Sequence, residues 1–251
     1  MHRHGIAALL AVVFVLAACC ARSPAPPATE ANPLANARQL VLVLAEAWDS
    51  PAGQLSRFER DTAAAAWRQA GPAQVPVSLG RSGLGWGLGL HAGKPAGPVK
   101  REGDGRAPAG VFAVGPAFGE AAAPAPTRLD YFQATPGLVC VDDAASRHYN
   151  RIVSPLGPAE WDSAETMLRP DGLYALGAVL GHNASPPRPG AGSCIFLHVR
   201  RGPDVPTAGC TALDRPDLAE LLAWLDAEKN PVLVQLPRPE FKRLRQAWGL
   251  P

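Results

Sequence analysis

The chain has 251 residues, with 24 Lys and Arg against 22 Asp and Glu and a formal charge of +2. No strong overall field draws it to nucleic acid or to an anionic membrane. With 47% hydrophobic and 18% charged residues it is too apolar for a disordered chain, and its 25 Gly and 27 Pro exclude a coiled coil and predict many turns.

Met1–Arg3 precede an apolar run, Gly5–Ala18, of the length of a signal-peptide h-region and short for a membrane-spanning helix. The run ends in Leu16-Ala17-Ala18-Cys19, which resembles the lipobox of bacterial lipoproteins. That resemblance implies cleavage before Cys19, acylation of its thiol, and residues 1–18 as a lipoprotein signal peptide. Acyl chains anchor by burying methylenes, at about 0.8 kcal/mol each. A secreted protein with an ordinary small-residue cleavage site is the alternative. Residues 19–37, rich in Pro, Ala and Asn, read as a flexible tether. The folded body is then 38–251.

Within that body, Gln39–Leu44 is a continuous apolar run and predicts a buried strand. Arg57–Ala70 has helical composition and stops at Gly71-Pro72. Val75–Leu79 predicts a strand. Gly83, Gly85, Gly87 and Gly89 then alternate with Leu84, Trp86, Leu88 and Leu90, which at period two puts glycines on one face and large apolar side chains on the other. Such a face suits tight packing, and no G-x-G-x-x-G register supports a dinucleotide site. Lys100–Gly110 reads as a polar loop in which Lys100, Arg101 and Arg106 are solvated by default, and Val111–Val114 as a strand. Short strands or loops follow through Asp130–Gln133 and Leu138–Val141. Asp142-Asp143 fits a turn better than a metal site. Tyr174–Leu180 is apolar, Ser185–Gly192 is a Pro/Gly loop, and Cys194–Val199 is a strand. Asp214 is a plausible N-cap with Pro216 in the first turn. Leu218, Leu221, Leu222 and Leu225 form one helical stripe, ended by Asn230-Pro231. Val232–Leu236 predicts a strand and Pro239–Trp248 a last helix. The fold class is therefore mainly β with a few helices (α+β), not a regular βαβ series.

Three cysteines lie in the body: Cys140, Cys194 and Cys210. In an oxidising compartment three cannot all pair, so one thiol can stay free. Cys210 is the best candidate. It stands in Pro206-Thr-Ala-Gly-Cys-Thr211, where Gly209 relaxes the backbone so that amides can face a reacting oxygen. A nearby helix N-terminus and a histidine would favour its thiolate. That histidine is His198, which shares one strand face with Cys194 and Phe196. Eleven residues separate it from Cys210, and a strand, loop and return can unite them. A cysteine nucleophile needs that combination of thiolate, imidazole and oxyanion donors. Cys194 is a rival nucleophile, but four residues along the same strand it lies ~13 Å from His198. It could instead pair with Cys140. A zinc site from Cys194, His198 and Cys210 has no supporting ligand spacing, so no metal is expected.

The segment Gly192-Ser-Cys-Ile-Phe-Leu-His-Val-Arg-Arg-Gly-Pro-Asp-Val-Pro-Thr-Ala-Gly-Cys-Thr211 resembles the active-site signature of L,D-transpeptidases of the YkuD-like family. Lys100–Gly110, Asp142–Asn150, Gly181-His182-Asn183 and Asn230–Leu236 extend the likeness across 75–251. The resemblance implies a YkuD-like β-sandwich or rolled sheet over 38–251, with Cys210 as nucleophile and His198 as base. A carbonyl near Val199 would orient the imidazole. Thr207, Ala208, Gly209 and the Cys210 amide would form the oxyanion and substrate-binding turn, and His182 would add a donor from a neighbouring loop. The implied partners are peptidoglycan stem peptides, with the membrane reached through the Cys19 anchor and no nucleic acid. The implied reaction is acyl transfer through a thioester at Cys210, with no metal or organic cofactor, in cell-wall synthesis and cell-shape maintenance. Water as acceptor would make it an L,D-carboxypeptidase or another envelope amide hydrolase, and a non-catalytic peptidoglycan-binding lipoprotein is the third reading. The expected place is the periplasm-facing cell envelope. An uncharged Cys20 after Cys19 is compatible with delivery to the outer membrane. Two departures stand out: Ala208 replaces a second histidine, and Thr211-Ala-Leu213 replaces an Arg or Asn after the cysteine.

Overall fold

The computed structural model describes residues 2, 32–93, 96–122, 126–155 and 157–251. The expected signal peptide apart from His2, the expected lipobox, Cys19 and Cys20 lie outside the described residues. The body already includes Leu34 and Ala37, in the segment read as tether, because both are buried in the core.

The strands are β1 (Gln39–Ala45), β2 (Ala52–Glu59), β3 (Arg68–Gln69), β4 (Val75–Ser78), β5 (Leu84–Trp86), β6 (Ala107–Gly119), β7 (Tyr131–Gln133), β8 (Val139–Val141), β9 (Ile152–Val153), β10 (Ala164–Thr166), β11 (Leu176–Leu180), β12 (Phe196–Val199), β13 (Thr211–Leu213) and β14 (Val232–Pro237). The helices are α1 (Arg215–Trp224) and α2 (Arg238–Trp248). The mainly β reading is borne out.

The large sheet runs β1-β14-β6-β11-β12-β13-β4-β2, and β2 also pairs with β1, so the ladder closes on itself as a ring. Closure leaves none of these strands as an open edge. β1 lies parallel to β14, with Leu40 opposite Val232. β12 and β13 are also parallel, with Leu197 opposite Thr211 and His198 opposite Ala212. A separate three-stranded sheet, β10-β8-β9, forms a smaller layer. Beneath it lies a second apolar cluster that includes Phe118, Met167, Tyr174, Phe196 and Cys210.

The helical expectation for Arg57–Ala70 is wrong. Residues 52–59 are β2, and only a two-residue strand follows at Arg68–Gln69. Leu55 and Arg57 alternate inward along β2. Arg57 is buried and donates to Glu220 Oε1 at 2.5 Å under α1. The alanine run 63–66 is almost wholly exposed, so a helix there would have no apolar face to bury, and packing rather than propensity stabilises most protein helices. The alternating Gly/Leu segment is a strand only through Trp86, and Leu90 is 51% exposed. Its glycines do pack tightly: a Cβ on Gly87 would meet Pro108 Cβ at 2.7 Å and His182 Nδ1 at 2.8 Å. The Lys100–Gly110 loop ends four residues early, because Ala107–Gly110 already belong to β6.

The α1 stripe is as expected, with Leu218, Leu221, Leu222 and Leu225 all buried. Asp214 occupies the N-cap but makes no side-chain cap bond. Arg200 takes both of its carboxylate oxygens instead.

Candidate active site

β12 and β13 bring the two sequence candidates together. In their parallel register Cys210, one residue before β13, comes opposite Phe196 and points to the face that Phe196 shares with His198. With neighbouring strands ~4.8 Å apart and two residues advancing ~6.6 Å, the Cys210 and His198 backbones are about 8 Å apart, within side-chain reach. Both side chains line one cleft of about 520 Å³, bounded by the loop before β6, β10, and the turn 205–210.

The turn before Cys210 is pinned by its own side chain. Thr207 Oγ1 donates to the Cys210 carbonyl at 2.7 Å and accepts from the Gly209 amide at 3.1 Å. The Thr207 amide and carbonyl bond Leu79 and Arg81, tying the turn to the end of β4. Of the amides at Ala208, Gly209 and Cys210 expected to face an oxyanion, that of Gly209 is engaged within the turn.

The Cys210 thiol is buried. Its sulfur accepts from the Phe196 amide at 3.4 Å and donates to the Cys194 carbonyl at 3.5 Å. Burial, reinforced by the Glu165 carboxylate, pushes the thiol up to about 12, against smaller opposing effects of the Phe196 amide, the Lys100 cation and the Tyr174 hydroxyl. The expectation of a favoured thiolate is thus corrected: desolvation outweighs the donors, and the resting group is a neutral thiol.

His198 is buried against the Tyr174 ring, with centroids 5.3 Å apart at 68°. Its Nδ1 lies 2.8 Å from the Val199 carbonyl oxygen. A carbonyl only accepts, so this contact assigns the proton to Nδ1 and leaves Nε2 with its lone pair. Burial lowers the imidazole to about 4, partly offset by the Val199 carbonyl. His198 is therefore a neutral imidazole at neutral pH.

Cys194 is joined to Cys140 by a disulfide, and Cys210 is the free thiol among the described residues. The pairing removes Cys194 both as rival nucleophile and as zinc ligand. It also ties the small sheet, through β8, to the segment entering β12. Asn150 reinforces that joint: its Oδ1 accepts from the Cys194 amide at 2.9 Å, and its Nδ2 donates to the carbonyls of His182 and Asn183.

His182 is neither solvated nor turned into the cleft. Its Nδ1 accepts from the Leu88 amide at 3.3 Å, and Nε2 lies 3.0 Å from the Ala191 carbonyl. Both ring nitrogens are engaged, and burial lowers the ring to about 4. The Asp142-Asp143 turn is as expected: Asp143 caps the amides of Ala145 and Asp162, and Asp142 accepts from Ser163.

The structure adds residues that sequence reading missed. Tyr174 donates to Glu165 Oε1 at 2.6 Å and stands beside the thiol. Arg169 reaches Glu165 at 3.3 Å, pairs with Asp171, and lies 5.0 Å over the Tyr174 ring. Burial raises the Glu165 carboxyl despite these partners. Its members lie within ten residues of one another, from Glu165 to Tyr174, in a pattern that matches no motif.

Over residues 48–234 the chain matches the family model of the YkuD L,D-transpeptidase catalytic domain. No curated protein matches it, and no solved structure does.

Proposed function

The chain belongs to the YkuD family of L,D-transpeptidase catalytic domains, and we propose from that premise that it performs cysteine-dependent acyl transfer on peptidoglycan stem peptides. The observation that carries this reading is the shared face of β12 and β13, which gives one free thiol and one neutral imidazole a common cleft.

Cys210 Sγ attacks the carbonyl at the L-centre of a diamino acid in the donor stem. Because the resting thiol is neutral, its proton leaves during attack, to His198 Nε2. The Val199 carbonyl holds the ring in the tautomer that can accept it and steadies the imidazolium that results. The carbonyl oxygen becomes an oxyanion, received by the amides of Ala208 and Cys210. Collapse breaks the C–N bond to the D-amino acid. His198 returns the proton to the leaving amine, and a thioester remains on Cys210. The amine of a second stem then attacks the thioester and gives a proton to His198. The sulfur leaves and recovers that proton, and the stems are cross-linked.

The test begins with intact mass of residues 26–251 after exposure to a carbapenem, an acylating agent for an activated thiol. One adduct that maps to Cys210 and vanishes in Cys210→Ala is expected. A donor tetrapeptide with and without an acceptor amine follows. Cross-linked product that depends on the amine supports transfer, and free tripeptide alone would identify a hydrolase. No adduct and no turnover by a folded domain would overturn the catalytic reading.

For placement in the cell we propose a lipoprotein in the envelope: residues 1–18 removed, Cys19 acylated, 19–37 as tether and 38–251 as catalytic body. The support is the h-region and Leu16-Ala17-Ala18-Cys19. Palmitate labelling that is lost in Cys19→Ala is the expected result, and unlabelled wild-type protein would refute it.

A further inference from the structure

The cleft holds a buried cation that the acyl-transfer scheme leaves without a task. Lys100 ends the segment before the β6 loop, and only 4% of it is exposed. Its stem runs past Gly192, whose φ is +99°. A Cβ there would meet Lys100 Cε at 3.0 Å and His182 Nε2 at 2.9 Å, so the bare glycine makes the channel. The ammonium donates to Asp104 Oδ1 at 2.8 Å and to the Arg101 carbonyl at 2.6 Å. Those are two of the three donors an ammonium carries. Nζ stops 3.8 Å from the point a Cβ would take on Gly209, the residue before the candidate nucleophile. Lys100 lines the cleft that Cys210 also lines, and Asp104 does not, so the cation is the member of the pair that reaches the cleft.

We infer that Lys100 is an electrostatic positioning residue for Cys210, its fixed positive charge offsetting the negative charge that develops on Sγ as the thiol proton leaves for His198. The inference rests on the reading of Cys210 as nucleophile. The ionisable groups that act on the sulfur are Glu165 on β10, Tyr174 ahead of β11 and Lys100, in a cleft that His198, Arg81, Glu102, Asp142, Arg169 and Arg201 also line. Glu165 disfavours a thiolate, and Lys100 is the cation that favours one. Ala208 supplies no side-chain donor at this turn, which leaves the task to a charge delivered from another loop. A unit charge lining the same partly dry cleft shifts a thiol by about one pH unit.

The test is the rate of alkylation by iodoacetamide in the full chain, mapped to Cys210 by peptide mass, from about pH 7 to pH 10. Below its midpoint the rate follows the thiolate fraction, so a midpoint raised by about one unit reads as about tenfold slower reaction at every pH. Lys100→Met and Lys100→Gln are expected to show that slowing, and Lys100→Arg to stay within about threefold of wild type. A merely structural role moves the rate the other way, since loosened packing exposes a buried thiol. Rates in the neutral variants equal to or above wild type overturn the inference. No peptidoglycan enters the measurement. Slowed alkylation in a chain that never turns over stem peptides keeps this inference and sinks the transpeptidase reading. Full turnover with alkylation blind to Lys100 does the reverse.

Discussion

His198 Nδ1 lies 2.8 Å from the carbonyl oxygen of Val199, the next residue in its own strand. The orienting group is thus main chain, built by β12 itself, and no substitution of a second side chain can remove it. The first prediction concerns the ring alone. His198→Gln should keep the fold and lower the acylation rate by about 10²–10⁴-fold, the usual scale of a general base. A carbapenem acylation time course checks this, and a loss below about threefold would show that another group takes the thiol proton.

The disulfide closes a long loop. Cys140 and Cys194 are separated by 54 residues, and constraining a loop of that length in the unfolded chain stabilises the fold by ~4 kcal/mol in the chain-entropy account. Cys140→Ser should shift the urea midpoint downward accordingly. Activity should fall as well, because Cys194 supplies the carbonyl that receives the Cys210 S–H bond. A variant of unchanged midpoint would show that the small sheet is held by its packing alone.

Stability should peak between about pH 7 and pH 9. His182 and His198 titrate near 4 when folded, below their ordinary 6.5. Between those values the unfolded chain binds more protons, so stability falls as pH drops from about 6.5 toward 4. Cys210 is shifted the opposite way, from 9.0 to about 12. There the folded chain holds the proton longer, so stability falls as pH rises from about 9 toward 12. Urea midpoints across this range check both limbs, and a midpoint flat from pH 7 down to 4 would contradict the buried neutral histidines.

Tyr174→Phe should destabilise the protein by ~1 kcal/mol, the usual result of depriving a half-buried polar partner of its hydrogen bond. The partner is Glu165, which Tyr174 now reaches at 2.6 Å. The double variant Tyr174→Phe with Glu165→Gln should recover part of that loss. Strictly additive losses would mean the two groups do not interact in solution.

The legible part of this protein is what a local pattern can carry. The period-two alternation through Cys194, Phe196 and His198 placed the imidazole on the correct face, although β12 itself begins only at Phe196 and Cys194 has φ +54°. Leu218, Leu221 and Leu222 of α1, with Leu225 at its C-cap, identified the buried stripe. Other features depend on partners far along the chain. Arg57–Ala70 reads as a helix because Ala63–Ala66 raise the helical propensity, while its first three residues end β2, whose real determinants are β1 on one side and β4 on the other. β13 is three residues long, too short for any period, and exists because β12 and β4 flank it. Lys100 looks solvated in Lys100–Gly110 because its polar neighbours are local, whereas its burial comes from Gly192 and Gly209 about a hundred positions later. Glu165 and Tyr174 carry no motif at all.

The ring of strands also sets an order of events during synthesis. β1 is the first strand of the body, and it is flanked by β2 and by β14, whose Val232 pairs with Leu40 about 190 residues away. A chain emerging from its N-terminus, from a ribosome or through a membrane pore, cannot close the ring until Pro237 is free. Until then one side of β1, rich in Val and Leu, is an unpaired edge open to other chains. Such high contact order makes folding slow. A holdase that shields Leu40–Leu44 would therefore act before the catalytic turn exists, and truncation anywhere before β14 should yield aggregate rather than a smaller folded domain.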